Sequence, residues 1–109
     1  MPYDEKLVER VRAVFQSEPG YTEQKMFGGI CFMVGRNMAV GVTGGDLMVR
    51  PGPDDFEDAL AQPHARPMDF TGRPMKGFVY VDSAGIVTEA AFAEWVGRGA
   101  AFARSLPAK

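Results

Sequence analysis

Cysteine and histidine are almost missing from this sequence, which has one of each, Cys31 and His64, in 109 residues. A single cysteine excludes an internal disulfide, and one histidine beside it does not complete the ligand set of a zinc site. We therefore expect no metal and no cofactor. Such sparing use of cysteine is typical of proteins that fold in a reducing compartment, and we expect a cytoplasmic protein.

Long hydrophobic runs are missing as well. No stretch approaches the ~20 apolar residues that a membrane span requires. The first residues, MPYDEKLVERV, carry acids where a secretory signal has a basic lead and an apolar block. We expect neither export nor membrane insertion.

The sequence also lacks an excess of basic residues. It has 12 Lys and Arg against 14 Asp and Glu, which gives a formal charge of −2. Proteins that bind nucleic acids neutralise phosphates with clustered Lys and Arg, so we expect no direct nucleic-acid binding. We interpret the late basic residues Arg98, Arg104 and Lys109 as a solvated helix face.

The overall composition predicts one folded domain over residues 1–109. Hydrophobic residues make up 46% and charged residues 24% of the sequence, close to the averages of globular domains. A chain of this length buries roughly two thirds of the surface that its unfolded form exposes, which suffices for a core.

Amphipathic helices are predicted at both ends. The first follows Asp4 as its N-cap, and the last follows Thr88. The apolar stripe of the first helix consists of Leu7, Val8, Val11, Val14 and Phe15. The stripe of the last helix consists of Phe92, Trp95, Val96, Gly99, Phe102 and Leu106. Because Gly99 lies on this stripe, we interpret it as a close-packing contact.

Strands are predicted between the two helices. The tract 25–34 is apolar on both faces, and we interpret it as one central strand in which Gly28 and Gly29 mark a bulge or the close approach of another backbone. Further strands are predicted at 38–43, 46–50, 68–70 and 77–81, with a short helix from Pro53 between the third and the fourth. The order α-β-β-β-α-β-β-α predicts an α+β fold with an antiparallel sheet of about five strands and helices packed on it.

Three segments carry a family resemblance: YTEQKMFGGICFMVGRNMAVGV, DLMVRPGPDDFEDAL and ARPMDFTGRPMKGFVYV. Together they resemble the N-terminal domain of TfoX/Sxy-type competence regulators, a domain that also occurs alone. The resemblance implies an α+β architecture similar to that of secretion chaperones and, for some members, a link to the transcriptional regulation of DNA uptake. It implies no catalytic residues.

The residues that could support catalysis each have a structural interpretation. Cys31 lies in the most apolar strand, where desolvation suppresses thiol reactivity, and His64 is interpreted as a solvent-facing loop residue. An acidic group at the start of the short helix complements the helix dipole and is not interpreted as a metal site. This group consists of Asp54, Asp55, Glu57 and Asp58. We therefore expect no enzymatic activity.

The tripeptide Arg-Pro-Met occurs twice, at 66–68 and 73–75. The prolines and Gly72 suit a hairpin, but a hairpin does not explain the arginines. Four basic residues are predicted at or beside strand ends: Arg50, Arg66, Arg73 and Lys76. They could form a rim that binds an anion or an acidic partner. Alternatively, they form ordinary surface ion pairs with Asp46, Asp69 or Asp82.

Two functions from different classes stay open. One is a non-enzymatic regulatory or protein-interaction domain that acts through a protein partner or as a homodimer, with an open sheet edge and exposed methionines as its surface. The other is a small anion-ligand-binding or enzymatic domain that uses the basic rim.

Overall fold

The structure, a computed structural model, describes residues 3–26, 29–69 and 74–107. Its elements follow in this order: helix α1 (Glu5–Phe15), strands β1 (Tyr21–Met26), β2 (Gly29–Val34), β3 (Asn37–Thr43) and β4 (Asp46–Val49), helix α2 (Phe56–Ala61), strands β5 (Ala65–Asp69) and β6 (Pro74–Val81), a 3-10 turn (Ser83–Ile86) and helix α3 (Glu89–Ser105). None of the described helices is long and apolar enough to cross a membrane.

The six strands form one antiparallel sheet in the order β1-β2-β3-β4-β6-β5. The prediction of an α+β fold with helices on an antiparallel sheet is therefore confirmed. The first four strands form a meander, and β6 returns beside β4, which leaves β5 at one edge and β1 at the other.

The interpretation of 25–34 as a single strand is wrong. Met26 ends β1 and Gly29 begins β2, and these two residues pair with each other across a hairpin. The sequence hid the hairpin because β1 is polar apart from Tyr21 and Met26, so that Met26 continued the two-residue alternation of β2 backwards across the turn. Phe27 and Gly28 lie outside the described residues. The expected close approach of another backbone is present at Gly29, where a Cβ would lie 1.8 Å from the Val42 carbonyl oxygen.

Helix α1 begins where a cap was predicted. The Asp4 carboxylate accepts a hydrogen bond from the Lys6 backbone N–H at 2.9 Å and satisfies a donor that the first turn would otherwise leave free. Four of the five predicted stripe residues are buried, but Val14 is 48% exposed. It lies at the margin of the stripe and faces solvent.

Helix α3 is capped by the Thr88 hydroxyl, which accepts a hydrogen bond from the Ala91 N–H at 3.1 Å. The helix lies mainly along β3, with further contacts to β2 and β4. Gly99 is buried against the backbone of β3, which confirms its interpretation as a close-packing contact.

The core lies between the helices and one face of the sheet. Its fully buried large side chains include Phe15 from α1, Phe32 from β2 and Phe92 from α3. Phe15, Tyr21 and Phe32 stack nearly parallel, with ring centroids 5.5 to 6.4 Å apart. This stack attaches α1 to the β1–β2 hairpin.

A second, smaller apolar cluster consists of Cys31, Met38 and Met48, with Phe78 and Tyr80 packed against it. Met38 is 7% exposed and Met48 is fully buried. For these two methionines the expectation of an exposed methionine surface is wrong. Gly41 leaves room for the cluster, because a Cβ there would lie 2.4 Å from the Met48 Cε.

Candidate functional site

Arg50 lies beside a cleft of about 300 Å³ between the end of β4, the loop before α2 and helix α3. The wall of the cleft is mostly apolar and includes Pro53, Phe56, Phe78 and Phe102. Arg50 is the one charged side chain among the described residues that line it. Its backbone N–H donates to the Ala39 carbonyl at 3.0 Å, which continues the β3–β4 ladder and holds the arginine at the mouth.

Two aromatic rings hold the guanidinium group of Arg50. The central carbon of this group lies 5.0 Å from the Phe102 ring centroid and 5.6 Å from that of Phe78. Both distances are within the range of a cation–π interaction. The rings contact the group without using its hydrogen-bond donors, so those donors stay available to an acceptor in the cleft.

Gly52 shapes the wall of the cleft. It has a φ of +88°, and a Cβ on it would lie 2.4 to 2.9 Å from three carbon atoms of the Phe102 ring. Only glycine allows this left-handed backbone while the ring lies directly against it. The Pro51-Gly52-Pro53 segment, predicted as a break between strand and helix, therefore also positions Phe102 beside Arg50.

Within the described part of the chain, Arg50 forms no ion pair. Five other arginines each have at least one carboxylate partner: Arg10, Arg12, Arg66, Arg98 and Arg104. Arg36 also lacks a carboxylate partner among the described residues, but it is exposed in the β2–β3 turn, where water solvates it. Arg50 is half-buried among apolar groups, where a charged donor gains most from an anionic acceptor.

Arg66 has the environment of an ordinary structural ion pair. It donates to Asp46 at 2.7 Å and to Asp82 at 3.1 Å, and it lies over the Tyr80 ring at 4.7 Å. Two carboxylates thus compensate one guanidinium group. Of the two interpretations of the basic residues, ion pairing is the arrangement found at Arg66.

The four predicted basic residues are only partly described by the structure. Arg50 and Arg66 flank β6 from opposite sides, because β4 and β5 are its two neighbours. Arg73 and the side chain of Lys76 lie outside the described residues. The rim of four basic residues therefore stays a prediction. Of the two members whose side chains are described, Arg66 forms ion pairs and Arg50 does not.

Arg98 and the acids of the short helix form an ion-pair group that the sequence did not suggest. Arg98 donates to Asp55 at 2.8 Å and to Asp58 at 3.0 Å, and its side chain is only 15% exposed. The interpretation of Arg98 as part of a solvated face is therefore wrong. The acids attach α2 to α3, and Asp55 makes no side-chain hydrogen bond to the helix start.

Cys31 is fully buried in β2, as predicted. Burial raises the pKa of its thiol to about 11, so very little thiolate is present near neutral pH. His64 is exposed, also as predicted. Within the described residues, no group of three or more His, Cys, Asp and Glu side chains could hold a metal ion.

A second cleft of about 270 Å³ lies beside His64, which has a left-handed φ of 69°. Its polar groups include Gln62 and Glu94. The Glu94 carboxylate already accepts a hydrogen bond from Arg98 at 3.4 Å. Among the described residues that line it, this cleft has no Lys or Arg that could bind an anion as Arg50 does.

The sequence pattern includes Arg50 among the candidates but does not reveal the residues that build its site. Phe102 was predicted as a core residue of α3, and Phe78 as part of a strand. No spacing in the sequence indicates that these rings meet at one guanidinium group, because they come from elements far apart in the chain.

Comparison with known proteins supports the resemblance carried by the three sequence segments. No curated protein and no solved structure shows a significant match. The family model of the TfoX N-terminal domain matches residues 13–103, from the second half of α1 to near the end of α3. This match spans most of the chain, and the chain therefore belongs to the TfoX N-terminal domain family.

Proposed function

We propose that this protein is a non-enzymatic regulatory domain of the competence-regulator type, which acts by binding a protein partner through the Arg50 cleft. Membership in the TfoX N-terminal domain family supports the regulatory role. The binding site is proposed from the environment of Arg50. This half-buried arginine is held by two rings beside an apolar cleft, and it has no carboxylate partner among the described residues.

The chemistry of the cleft defines what the partner presents. An apolar side chain fills the space between Phe56, Phe78 and Phe102, and an adjacent carboxylate accepts hydrogen bonds from Arg50. Both interactions reinforce each other, because a bound apolar group excludes water from the charged hydrogen bonds. The partner segment therefore combines Asp or Glu with a neighbouring Leu, Ile, Phe or Met.

A library of random heptapeptides displayed on phage tests this proposal, because such a library samples every short sequence and does not require an identified partner. Selection on the wild-type protein enriches peptides with an acidic residue next to a large apolar one. The Arg50→Gln variant, which keeps much of the length of the side chain but loses the charge, does not enrich them. Arg50→Lys gives weaker enrichment because a lysine does not bind a carboxylate in bidentate geometry.

Arg36→Asn is the matched control, since it also removes one positive charge and asparagine tolerates the left-handed backbone at that exposed turn (φ 66°). This control enriches the same peptides as the wild type. Selection of peptides without an acidic residue, or equal enrichment by Arg50→Gln, contradicts the proposal.

The same observation favours a second candidate, a binding site for small carboxylate ligands. A cleft of about 300 Å³ lies at the lower end of the sizes typical of ligand pockets and suits a single ring or a short alkyl chain with one carboxylate. A thermal-shift series with phenylacetate, hexanoate and inorganic phosphate tests it. A ligand at 100 times its Kd adds about 2.7 kcal/mol of stability. A shift by the carboxylates that Arg50→Gln abolishes supports this candidate, and the absence of any shift excludes it.

Direct nucleic-acid binding is not part of the proposal. The net charge of −2 and the carboxylate partners of most described arginines leave few positive charges for phosphates. We expect no mobility shift of DNA or RNA at low salt, and a shift that weakens with added salt would contradict this expectation.

A further inference from the structure

Strand β1 forms an open edge of the sheet. It pairs with β2 on one side, and no described strand pairs with its other side. Residues 22–25 are all exposed. An edge of this kind presents a row of backbone donors and acceptors to a further strand.

The hydrogen-bond pattern shows which backbone groups point outward. The Gly35 N–H donates to the Gly20 carbonyl at 3.0 Å, whereas the Tyr21 N–H turns away from β2 and donates to the Glu18 carbonyl at 3.3 Å. In an antiparallel ladder, residues that face the partner strand alternate with residues that face away. The backbone groups of Glu23 and Lys25 therefore face the open side.

The other edge is less suited to pairing. Strand β5 contains Pro67, which has no N–H to donate, and its register with β6 shifts between Pro67 and Met68. Proline and irregular register are features that block edge pairing in natural sheets. In contrast, the register of β1 with β2 is regular from Tyr21 to Met26.

Charge along β1 is unequally distributed. Glu9 and Glu23 both accept hydrogen bonds from Arg12, so two carboxylates share one guanidinium group and the cluster keeps a net negative charge. Lys25, two residues further along the strand, forms no ion pair with any described residue. One chain therefore presents a cation without a carboxylate partner among the described residues, beside a cluster of net negative charge on the same edge.

We propose that β1 pairs with β1 of a second copy of this chain, antiparallel and about a two-fold axis at Gln24. This register places Glu23 opposite Lys25 of the second copy, and Lys25 opposite the second Glu23. The pairs coincide with the outward backbone groups of both residues, so backbone hydrogen bonds and ion pairs form together.

The charges select this register over its neighbours. A two-fold axis at Glu23 would place the two copies of Glu23 opposite each other. An axis at Lys25 would place the two copies of Lys25 opposite each other. Like charges in directly opposed positions destabilise a strand pair. Two-fold symmetry makes the contact self-complementary, as in most dimers of identical chains.

Engineered cysteines test the register directly. Residues at a non-hydrogen-bonded position of an antiparallel pair have Cα atoms about 4.5 Å apart, which lies within the range that a disulfide bridges. A cysteine at position 24 therefore crosslinks two copies under mild oxidation. Because Gln24 and Cys31 are register partners within one chain, the experiment uses a Cys31→Ala background, which prevents a bridge inside the chain.

Thr22→Cys in the same background is the matched control. Position 22 is equally exposed and lies on the same face of β1. In the proposed register, however, the two copies of residue 22 are roughly 13 Å apart, at about 3.3 Å per residue. We expect covalent dimer from Gln24→Cys and little from Thr22→Cys.

Sedimentation of the unmodified protein measures the affinity. Lys25→Glu replaces each of the two ion pairs with a pair of glutamates that face each other and repel. We expect it to raise the Kd of the dimer about tenfold or more. Arg50→Gln does not change the association, so failure of the dimer and failure of the Arg50 site are distinguishable. A monomer at high micromolar concentration, or equal crosslinking at positions 22 and 24, overturns the proposal.

Discussion

The carbonyl oxygen of Ala39 lies so close to Gly99 that a Cβ on this glycine would be 2.2 Å from it. The same oxygen accepts the backbone hydrogen bond of Arg50 at 3.0 Å. One peptide group of β3 thus supports both the closest approach of helix α3 and the position of the candidate binding arginine. The packing of α3 and the geometry of the Arg50 cleft are therefore linked.

Gly99→Ala should destabilise the protein, because an added methyl group forces α3 away from β3. Overpacking of this kind costs about 1–3 kcal/mol. Gly97 is the matched control, since a Cβ there meets nothing within 4 Å, and Gly97→Ala should stabilise the helix by about 0.5–1 kcal/mol. Urea denaturation measures both free energies of unfolding. Equal effects of the two substitutions would show that the close contact does not control the packing.

Glu18 and Arg104 should make stability dependent on pH. Hydrogen bonds from Arg104 lower the pKa of the Glu18 carboxylate below its ordinary value of 4.5. A lowered folded-state pKa means that the stabilisation is present above the ordinary pKa and is lost as the pH falls through the folded-state pKa.

Glu18→Gln should therefore cost about 0.5–1 kcal/mol at neutral pH and flatten the acid limb of the stability curve. Glu89→Gln is the control, because the Glu89 side chain that pairs with Arg10 is 86% exposed, and its removal should change stability very little. Thermal unfolding measured from about pH 3 to about pH 7, which includes the range in which carboxylates titrate, checks both variants. An unchanged acid limb in Glu18→Gln would contradict the assignment.

Cys31 should resist thiol reagents in the folded protein. Its thiol is fully buried, and burial raises its pKa from 9.0 to about 11. Because the folded-state pKa is the higher one, unfolding becomes easier as the pH rises from 9.0 toward about 11. The rate of reaction with Ellman's reagent should follow the fraction unfolded as urea is added. Rapid labelling without denaturant would show that the cluster around Cys31 opens locally.

Arg66 and Arg50 should differ in what their removal changes. Arg66→Gln breaks the contacts with Asp46 and Asp82 and should lower stability by about 0.5–1 kcal/mol while leaving peptide selection unchanged. Arg50→Gln should abolish selection. Comparison of peptide enrichment and urea denaturation for both variants separates the two roles. Loss of selection in Arg66→Gln would extend the site to β5.

Several features of the fold were predictable because they depend on neighbours in the sequence. Asp4 and Thr88 cap helices through backbone groups within three residues, and Gly99 stands on a stripe of helical period. The β1–β2 hairpin was missed because β1 reads YTEQKM, a polar segment whose pairing depends on its place at the edge. The role of Arg98 was missed because its partners Asp55 and Asp58 lie at another helix, more than a third of the chain away.

By itself, then, the sequence determined the α+β class, the helix caps, the buried thiol and the family, since each follows from local pattern or from the motifs of the chain. Only the tertiary structure decided which of the two described arginines at strand ends, Arg50 or Arg66, has no described carboxylate partner. Arg50 and Arg66 look alike in the sequence, because both stand at or beside predicted strand ends. They differ because the sheet order places two carboxylates beside Arg66 and two aromatic rings beside Arg50, and such long-range proximity is set by packing.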